Sequence, residues 1–239
     1  MYGFLGIIAK PLGWLLSFIY DLVGNYGVTL LIITVIVKMC LYPLYAKQIK
    51  STSAMSGIQP KMQELQKKYA NDKETLNQKM SELYKKEGFS PMGGCLPMLI
   101  QMPIIMGLFA LFRSPMQYIS NENMLFAIHE SFLWIKDLSQ PDLWILPILA
   151  AITTFLSFNL SQQSMKGATG AAAQSNTMMN IMKYFYPVMI LWMARSYSSG
   201  LALYWFGSQF IQIFFNLRMN KLRKALREEE SKKKKKKKK

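Results

Sequence analysis

Cysteine and histidine are almost absent from this sequence, and their scarcity excludes several kinds of protein. There are two cysteines, Cys40 and Cys95, and one histidine, His129. Two isolated cysteines provide neither a disulfide framework nor paired CxxC ligands for zinc. The sequence also lacks a nucleotide-binding glycine loop and a nucleophile elbow, and His129 has no partners at a recognisable catalytic spacing. We therefore expect no enzyme activity, no metal site and no cofactor.

Negative charge is also scarce, and its distribution indicates a membrane protein. The chain has 13 acidic and 29 basic residues and a net charge of +16, yet 51% of its residues are hydrophobic. This combination is unusual in a soluble domain. Apart from Asp142 at the edge of one run, the long apolar runs contain no acidic residue, and the basic residues cluster in the polar stretches between them. The sequence therefore predicts an all-α, polytopic membrane protein.

Five apolar runs are candidate transmembrane (TM) helices, since a helix needs about 17 to 25 apolar residues to cross the hydrocarbon core. Before them lies a stretch with Trp14 and Tyr20 that Lys10 and Pro11 interrupt, so we interpret it as an interfacial amphipathic helix, with a true first span as the alternative. It lacks a basic segment and a cleavage site, so no cleaved signal peptide is expected. The predicted order is an extracytoplasmic interfacial helix (1–25), TM1 (26–46), a cytoplasmic helical hairpin (47–90), TM2 (96–113), an extracytoplasmic loop (114–141), TM3 (142–160), a cytoplasmic loop (161–178), TM4 (179–196), TM5 (200–217) and a basic cytoplasmic tail (218–239).

The segments between successive predicted spans hold very different numbers of basic residues. This difference predicts the orientation of the chain in the membrane. Segment 47–90 holds nine lysines and the tail after residue 217 holds thirteen basic residues. The segments on the opposite side hold only Lys10, Arg113, Lys136 and Arg195. Because positively charged loops stay in the cytoplasm, we expect the N-terminus outside and the C-terminus in the cytoplasm.

The polar stretch after the first span predicts two helices that pack on each other. Its apolar residues recur every three or four positions, and Leu76, Met80 and Leu83 form the stripe of the second arm. Asn71 followed by Glu74 resembles a capping box, and Gly88 stands where a helix would end. The sequence therefore predicts an antiparallel hairpin.

The tail is predicted to begin as a basic helix that continues the last span. It ends in eight consecutive lysines, which repel one another and predict disorder of that run. Such a run attracts anionic lipid headgroups or the phosphates of nucleic acid. It contains no aromatic residue for base stacking, so any contact with RNA would be electrostatic and independent of sequence. An added solubility or purification tail is a further interpretation.

Lys38 is the most informative single residue, because it lies about ten residues into the first predicted span. A lysine at the centre of a membrane helix costs about 2.5 to 3.5 kcal/mol on insertion scales, so such residues usually face a hydrated cavity or a partner. Snorkelling of the side chain to the interface is the alternative. With no acidic partner in the apolar runs, Lys38 is expected to face polar side chains and water. The polar residues of the other spans are Gln101, Thr153, Thr154, Ser157, Asn159, Ser208, Gln209 and Gln212.

Methionines form a second pattern in the predicted spans. Met98, Met102 and Met106 recur every fourth residue, and Met182, Met189 and Met193 follow in the fourth span. Methionine is flexible and suits a surface that accepts varied apolar partners. Ordinary helix packing is the alternative interpretation.

Three segments in order resemble the YidC/Oxa/Alb family of membrane protein insertases, in its short five-span bacterial form. The strongest match is FSPMGGCLPMLIQMPIIMGLFALFR (89–113), and the hairpin sequence IQPKMQELQKKYANDKETLNQKMSELYKKEG and GLALYWFGSQFIQIFFN in the last span support it. Together they cover about residues 26–218. Two departures are Lys38, where an arginine is more usual, and SSGLALYW, where many members have a proline before the glycine.

The resemblance implies a function and a set of site residues. It implies insertion of nascent membrane proteins into the bacterial plasma membrane, with Lys38 as the charge of a hydrophilic groove. It also implies contact of the basic tail with the ribosome, and it makes the Sec translocon a partner to be considered. The implied polar lining of the groove is Gln101, Thr154, Ser157, Asn159, Ser208, Gln209 and Gln212, and the implied apolar face for substrate is Met98, Met102, Met106, Met189 and Trp205.

Two other functions remain compatible with the residues alone. A small polytopic transporter or channel would use Lys38 to select an anionic solute, although the inverted repeats of many transporters are not evident. A membrane anchor or lipid-binding scaffold would depend on the basic tail and not on Lys38.

Overall fold

The computed structural model describes the backbone of residues 2–87, 96–119, 121–165 and 173–236. Within these ranges, side chains are described except for 2–5, 47–60, 63, 96–100, 162–165, 173–180, 223–224 and 226–236. The described backbone is almost entirely helical, and its only β pairing is an isolated bridge between Phe132 and Ile135. The helices are α1 (Tyr2–Val23), α2 (Tyr26–Lys68), α3 (Lys73–Lys86), α4 (Leu96–Arg113), α5 (Glu122–Ala127), α6 (Ile145–Met165), α7 (Ala173–Ser196) and α8 (Ser199–Lys236), with a 3₁₀ turn at Pro115–Gln117.

Two of these helices run far beyond the predicted spans. Helix α2 continues through the first predicted span into the hairpin segment, and α8 continues from the last predicted span to Lys236. The start of the tail was predicted to be a basic helix that continues the last span, and α8 does continue there. The terminal lysine run was predicted to be disordered, and this is wrong up to Lys236. An existing helix gains one hydrogen bond for each residue it adds, and lysine has a high helix propensity, so propagation from α8 is favourable.

The predicted span limits and the helix limits agree closely in one case and differ in others. Helix α4 occupies the residues predicted for the second span, whereas α6 begins at Ile145, after the predicted start at residue 142. Two segments, Gly6–Val23 and Tyr26–Ala46, are long and apolar enough to cross a membrane, and Gln101–Arg113 and Ile145–Ser161 are shorter apolar helices. The first of these segments was predicted to be interfacial, so the alternative of a true span stays open.

A tight corner joins α1 to α2 and places α1 against α4. Gly24 has a φ of +66°, a conformation that glycine adopts without strain, and the Asn25 side chain caps α2 by accepting a hydrogen bond from the Val28 N–H. Helix α1 then crosses α4 closely, because a Cβ at Gly107 of α4 would collide with the side chain of Ile8 on α1. The main core forms where α1, α2, α4 and α8 meet, around Leu16, Leu30, Ile33, Leu111 and Ala202.

The end of α2 and helix α3 lie antiparallel and share a small apolar core. Met62 and Met80 are buried against each other, with residues of the two predicted stripes around them. The cap of α3 is Asp72, whose side chain accepts the Thr75 N–H at 3.0 Å, and not Asn71 as the capping-box pattern predicted. The predicted helix end at Gly88 lies outside the described residues.

The loop between α4 and α6 caps the start of α8. The backbone N–H groups of Ser199 and Gly200 donate to the carbonyls of Gln140 and Leu138 at 2.8 and 2.9 Å. The first turn of a helix leaves its N–H groups without partners inside the helix, so this loop supplies them. Helix α8 is thereby fixed beside α2 on one side and α6 on the other.

Candidate functional site around a buried lysine

Lys38 lies where α2, α4 and α8 meet, and its side chain is only 2% exposed. Its Nζ donates to the Oε1 of Gln101 on α4 and to the Oε1 of Gln212 on α8, each at 3.2 Å. Both glutamines were predicted to line the groove, and the structure places both of them on the ammonium. The lysine thus connects three helices through two amide oxygens.

Tyr45 completes the surroundings of the ammonium, although the sequence analysis did not identify it. The centre of its ring is 5.8 Å from the Lys38 Nζ, and its hydroxyl donates to the same Gln101 oxygen at 3.4 Å. A cation within about 6 Å of an aromatic face is stabilised by the ring electrons. The signal in the sequence was the spacing, because residues seven apart lie on one face of a helix two turns along.

Within the part of the chain whose side chains are described, only neutral groups contact this charge. Among the described residues, no carboxylate lies within ion-pair distance of the Lys38 Nζ. An amide oxygen provides a dipole and no net charge, so the hydrogen bonds reduce the cost of burying the ammonium without neutralising it. The site therefore has an electrostatic preference for an added carboxylate.

A row of polar side chains follows one face of α8 away from Lys38. Ser208, Gln212, Asn216 and Asn220 recur every four residues, and Ser208 and Asn216 are buried. The Gln212 Nε2 donates to the Asn216 Oδ1 at 3.3 Å, and the Asn216 Nδ2 donates to the Ser157 carbonyl of α6 at 2.9 Å. Asn216 and Asn220 were missed by the sequence analysis, although their spacing of four residues from Gln212 was visible.

Tyr204 extends this row by one further turn. Its hydroxyl is buried beside Gln101 and Ser208, yet it makes no hydrogen bond of good geometry within the described residues. A buried hydroxyl without a partner is costly. The polar row therefore retains unsatisfied hydrogen-bonding capacity close to Lys38.

The other residues predicted for the polar lining are engaged in helix packing or lie apart from Lys38. Thr154 accepts the Trp205 Nε1–H at 3.0 Å in a buried contact between α6 and α8. Ser157 contributes its backbone carbonyl to Asn216, as described above. Asn159 and Gln209 are half-buried and make none of the described hydrogen bonds to Lys38.

The predicted apolar face is divided between an exposed surface and a cleft. Met102 and Met106 on α4 are 45% and 48% exposed, while Met189 packs in a cluster with Trp205 and Ile190. A cleft of about 250 Å³ separates α4 from α7 and α8, and Met106 and Trp205 lie on its walls. The side chain of Met98 is outside the described residues.

Comparisons with known proteins give one consistent result. The family described as 60Kd inner membrane protein matches residues 18–228. The membrane protein insertase YidC 2 of Listeria innocua is 41% identical over 228 residues, which cover 93% of this chain and 74% of that protein. The membrane protein insertase YidC of Haemophilus influenzae is 40% identical over 214 residues, which cover 89% of this chain and 36% of that protein.

A solved structure agrees with the sequence relatives. A crystal structure described as an active YidC insertase with its first transmembrane domain resolved has a TM-score of 0.59 and 29% identity to this chain. The match covers 87% of this chain and 45% of that one. The chain therefore belongs to the 60Kd inner membrane protein family, and named YidC membrane protein insertases match it over most of its length.

Proposed function

We propose that this protein is a membrane protein insertase that moves hydrophilic segments of nascent membrane proteins past Lys38 and releases their apolar segments into lipid. The observation that carries the proposal is the buried ammonium held by the neutral oxygens of Gln101 and Gln212. A carboxylate on an incoming segment would replace a neutral acceptor, and a charge-assisted hydrogen bond is about twice as strong as a neutral one. The attraction needs no covalent step, so the protein is not proposed to be an enzyme.

The polar row of α8 would then reduce the cost of moving hydrophilic groups through the membrane. A polar group that enters an apolar region without a hydrogen-bond partner costs several kcal/mol. The amide side chains of Gln212 and Asn216 and the Tyr204 hydroxyl offer donors and acceptors along the path. Partners of this kind would replace bulk hydration stepwise.

Apolar segments of the substrate would leave along the exposed surface of α4. Met102 and Met106 are flexible side chains that adapt to different partners. Burial of apolar area in lipid would drive the net process. The named relatives are insertases, and none of these observations favours the solute transporter over this function.

The membrane topology belongs to the same proposal. We propose five spans, with the N-terminus outside and the C-terminus in the cytoplasm of a bacterial plasma membrane, because the basic residues collect in segment 47–90 and in the tail. The hairpin would receive the nascent chain, the tail would contact the ribosome, and the Sec translocon is a candidate partner. A maleimide that cannot cross membranes should label Lys136→Cys and leave Lys85→Cys unlabelled in intact cells, after replacement of Cys40 and Cys95 by serine.

The central experiment is insertion of a single-span substrate with an acidic translocated segment into vesicles that contain the purified protein. Wild type and Lys38→Arg should insert the substrate, whereas Lys38→Gln and Lys38→Leu should insert it several-fold less well. Lys136→Gln is the matched control, because it removes the same charge from an exposed position of the outer loop.

Two results would contradict the proposal. Equal insertion by all Lys38 variants would show that the charge is dispensable. If insertion is no greater than into empty vesicles, even with ribosome-bound substrate, the proposal that the protein is an insertase is wrong.

A further inference from the structure

Two adjoining cavities at the outer ends of α4, α7 and α8 differ sharply in character. The lower one, about 250 Å³, is the cleft described above, and its walls are apolar side chains such as Ile105, Ile190 and Ala194. The upper one, about 300 Å³, is lined by Arg113 and by the hydroxyl-bearing residues Ser139, Ser196, Tyr197 and Ser198. Phe109, Tyr197 and Leu201 line both cavities, so the two lie side by side.

Arg113 gives the upper cavity a positive charge. It is exposed at the end of α4, and its guanidinium lies 5.9 Å from the centre of the Phe109 ring. No carboxylate among the described residues lies within 4.0 Å of it. A guanidinium with hydroxyl groups nearby is suited to bind phosphate oxygens.

The apolar walls of the cleft restrict what it holds. They offer few hydrogen-bond partners, so the cleft favours apolar occupants. An unbranched hydrocarbon chain is thin and needs no hydrogen-bond partner. The cleft is therefore suited to a lipid chain.

We propose that the two cavities form a binding site for one anionic phospholipid of the outer leaflet. The phosphate lies at Arg113, and one acyl chain descends past Phe109 towards Trp205. This assignment rests on the membrane setting of the proposed function and does not depend on Lys38, which lines neither cavity.

The test measures lipid binding to the purified full-length protein by native mass spectrometry. Phosphatidylglycerol, phosphatidylcholine and glycerol phosphate are titrated separately into detergent-solubilised protein. The wild type should bind phosphatidylglycerol more tightly than phosphatidylcholine, and chain-free glycerol phosphate should not compete. Arg113→Gln should weaken phosphatidylglycerol binding about fivefold, the equivalent of one basic contact near a lipid surface.

Two further variants make the test specific. Arg218→Gln is the matched control, because Arg218 is another exposed arginine whose guanidinium lies 5.8 Å from the centre of an aromatic ring, that of Tyr42. It lines neither cavity. This variant should bind phosphatidylglycerol as the wild type does. Ala194→Phe, which fills the cleft, should weaken binding of both phospholipids while Arg113→Gln weakens only that of the anionic one.

Three outcomes would overturn the lipid site. They are equal binding of the two phospholipids by the wild type, equal effects of Arg113→Gln and Arg218→Gln, and competition by glycerol phosphate as strong as that of the lipid. If Lys38 variants abolish insertion while these lipid results fail, only the lipid site is wrong. If the lipid results hold while the Lys38 charge proves dispensable, only the proposed groove is wrong.

Discussion

The Nζ of Lys38 and the Oε1 of Gln212 lie 3.2 Å apart, although 174 residues separate them in the chain. This contact joins the first long helix, α2, to the last, α8. The second acceptor, Gln101, comes from α4, so the lysine has one partner on each neighbouring helix. A charge that was conspicuous in the sequence is therefore also a structural link between three helices.

Removal of one acceptor should destabilise the protein more than removal of the whole contact. Gln212→Leu leaves the buried ammonium with one amide partner, and we expect a loss of about 1 to 3 kcal/mol in the free energy of unfolding. Lys38→Leu combined with Gln212→Leu should recover most of that loss, because no unpaired charge remains. Reversible unfolding in detergent measures these values. Gln209→Leu is the control, and additive effects of the two substitutions would contradict the expectation.

Tyr45 should support Lys38 mainly through its ring. Tyr45→Phe retains the ring and loses only the long hydrogen bond to Gln101, so insertion and stability should stay close to those of the wild type. Tyr45→Leu loses the ring, and we expect a cost of about 0.5 to 2 kcal/mol in stability. In a protein that also carries Lys38→Leu, the difference in stability between Tyr45→Phe and Tyr45→Leu should be smaller. A Tyr45→Leu effect of equal size with and without the lysine would exclude the cation–ring contact.

Glu130 should hold the corner between α1 and α2. Its carboxylate accepts the Tyr20 hydroxyl and, at 2.8 Å, the Tyr26 backbone N–H. Glu130→Gln removes the charge from both hydrogen bonds, which should cost about 1 to 3 kcal/mol and should increase hydrogen exchange at the end of α1. Glu122→Gln changes an exposed glutamate of α5 and serves as control. Unchanged exchange at α1 in Glu130→Gln would show that the corner is held by packing alone.

The start of α3 should lose stability at low pH. Hydrogen bonds from the Thr75 hydroxyl and the Thr75 N–H lower the pKa of Asp72 from its ordinary value of 3.8. A carboxyl whose pKa is lower in the folded state stabilises that state above its unfolded pKa, and the contribution disappears as the pH falls through the folded value. Protection of α3 against hydrogen exchange should therefore decrease below about pH 4 in the wild type. Asp72→Asn retains a capping side chain and should show no such decrease. An identical pH profile for both proteins would contradict the assignment.

The packing of α3 against the end of α2 illustrates what local sequence patterns predict correctly. The spacing of Met62, Leu76 and Met80 predicted two arms that share an apolar face, and these residues do pack together. The cap was predicted one residue too early, because Asn71 and Asp72 are both suitable N-cap types. Only the path of the turn decides which of the two side chains faces the Thr75 N–H.

The surroundings of Lys38 illustrate what local sequence patterns cannot predict. The sequence indicated which polar residues are available in the spans, but it could not separate Gln101 and Gln212, which contact the lysine, from Thr154, which accepts a hydrogen bond from Trp205. That difference depends on the rotation of each helix about its axis. Rotation is set by packing against several neighbours at once, and no single stretch of sequence contains this information.

The sequence by itself determined the helical, apolar character of the chain, the asymmetric placement of its basic residues and the presence of an isolated lysine in an apolar run. These features depend on composition and on periodicity over one or two helical turns. The tertiary structure alone decided that two amides and a tyrosine ring surround that lysine, and that an arginine stands above an apolar cleft. Those arrangements bring together residues that are far apart in the chain, and close packing between helices fixes their relative positions.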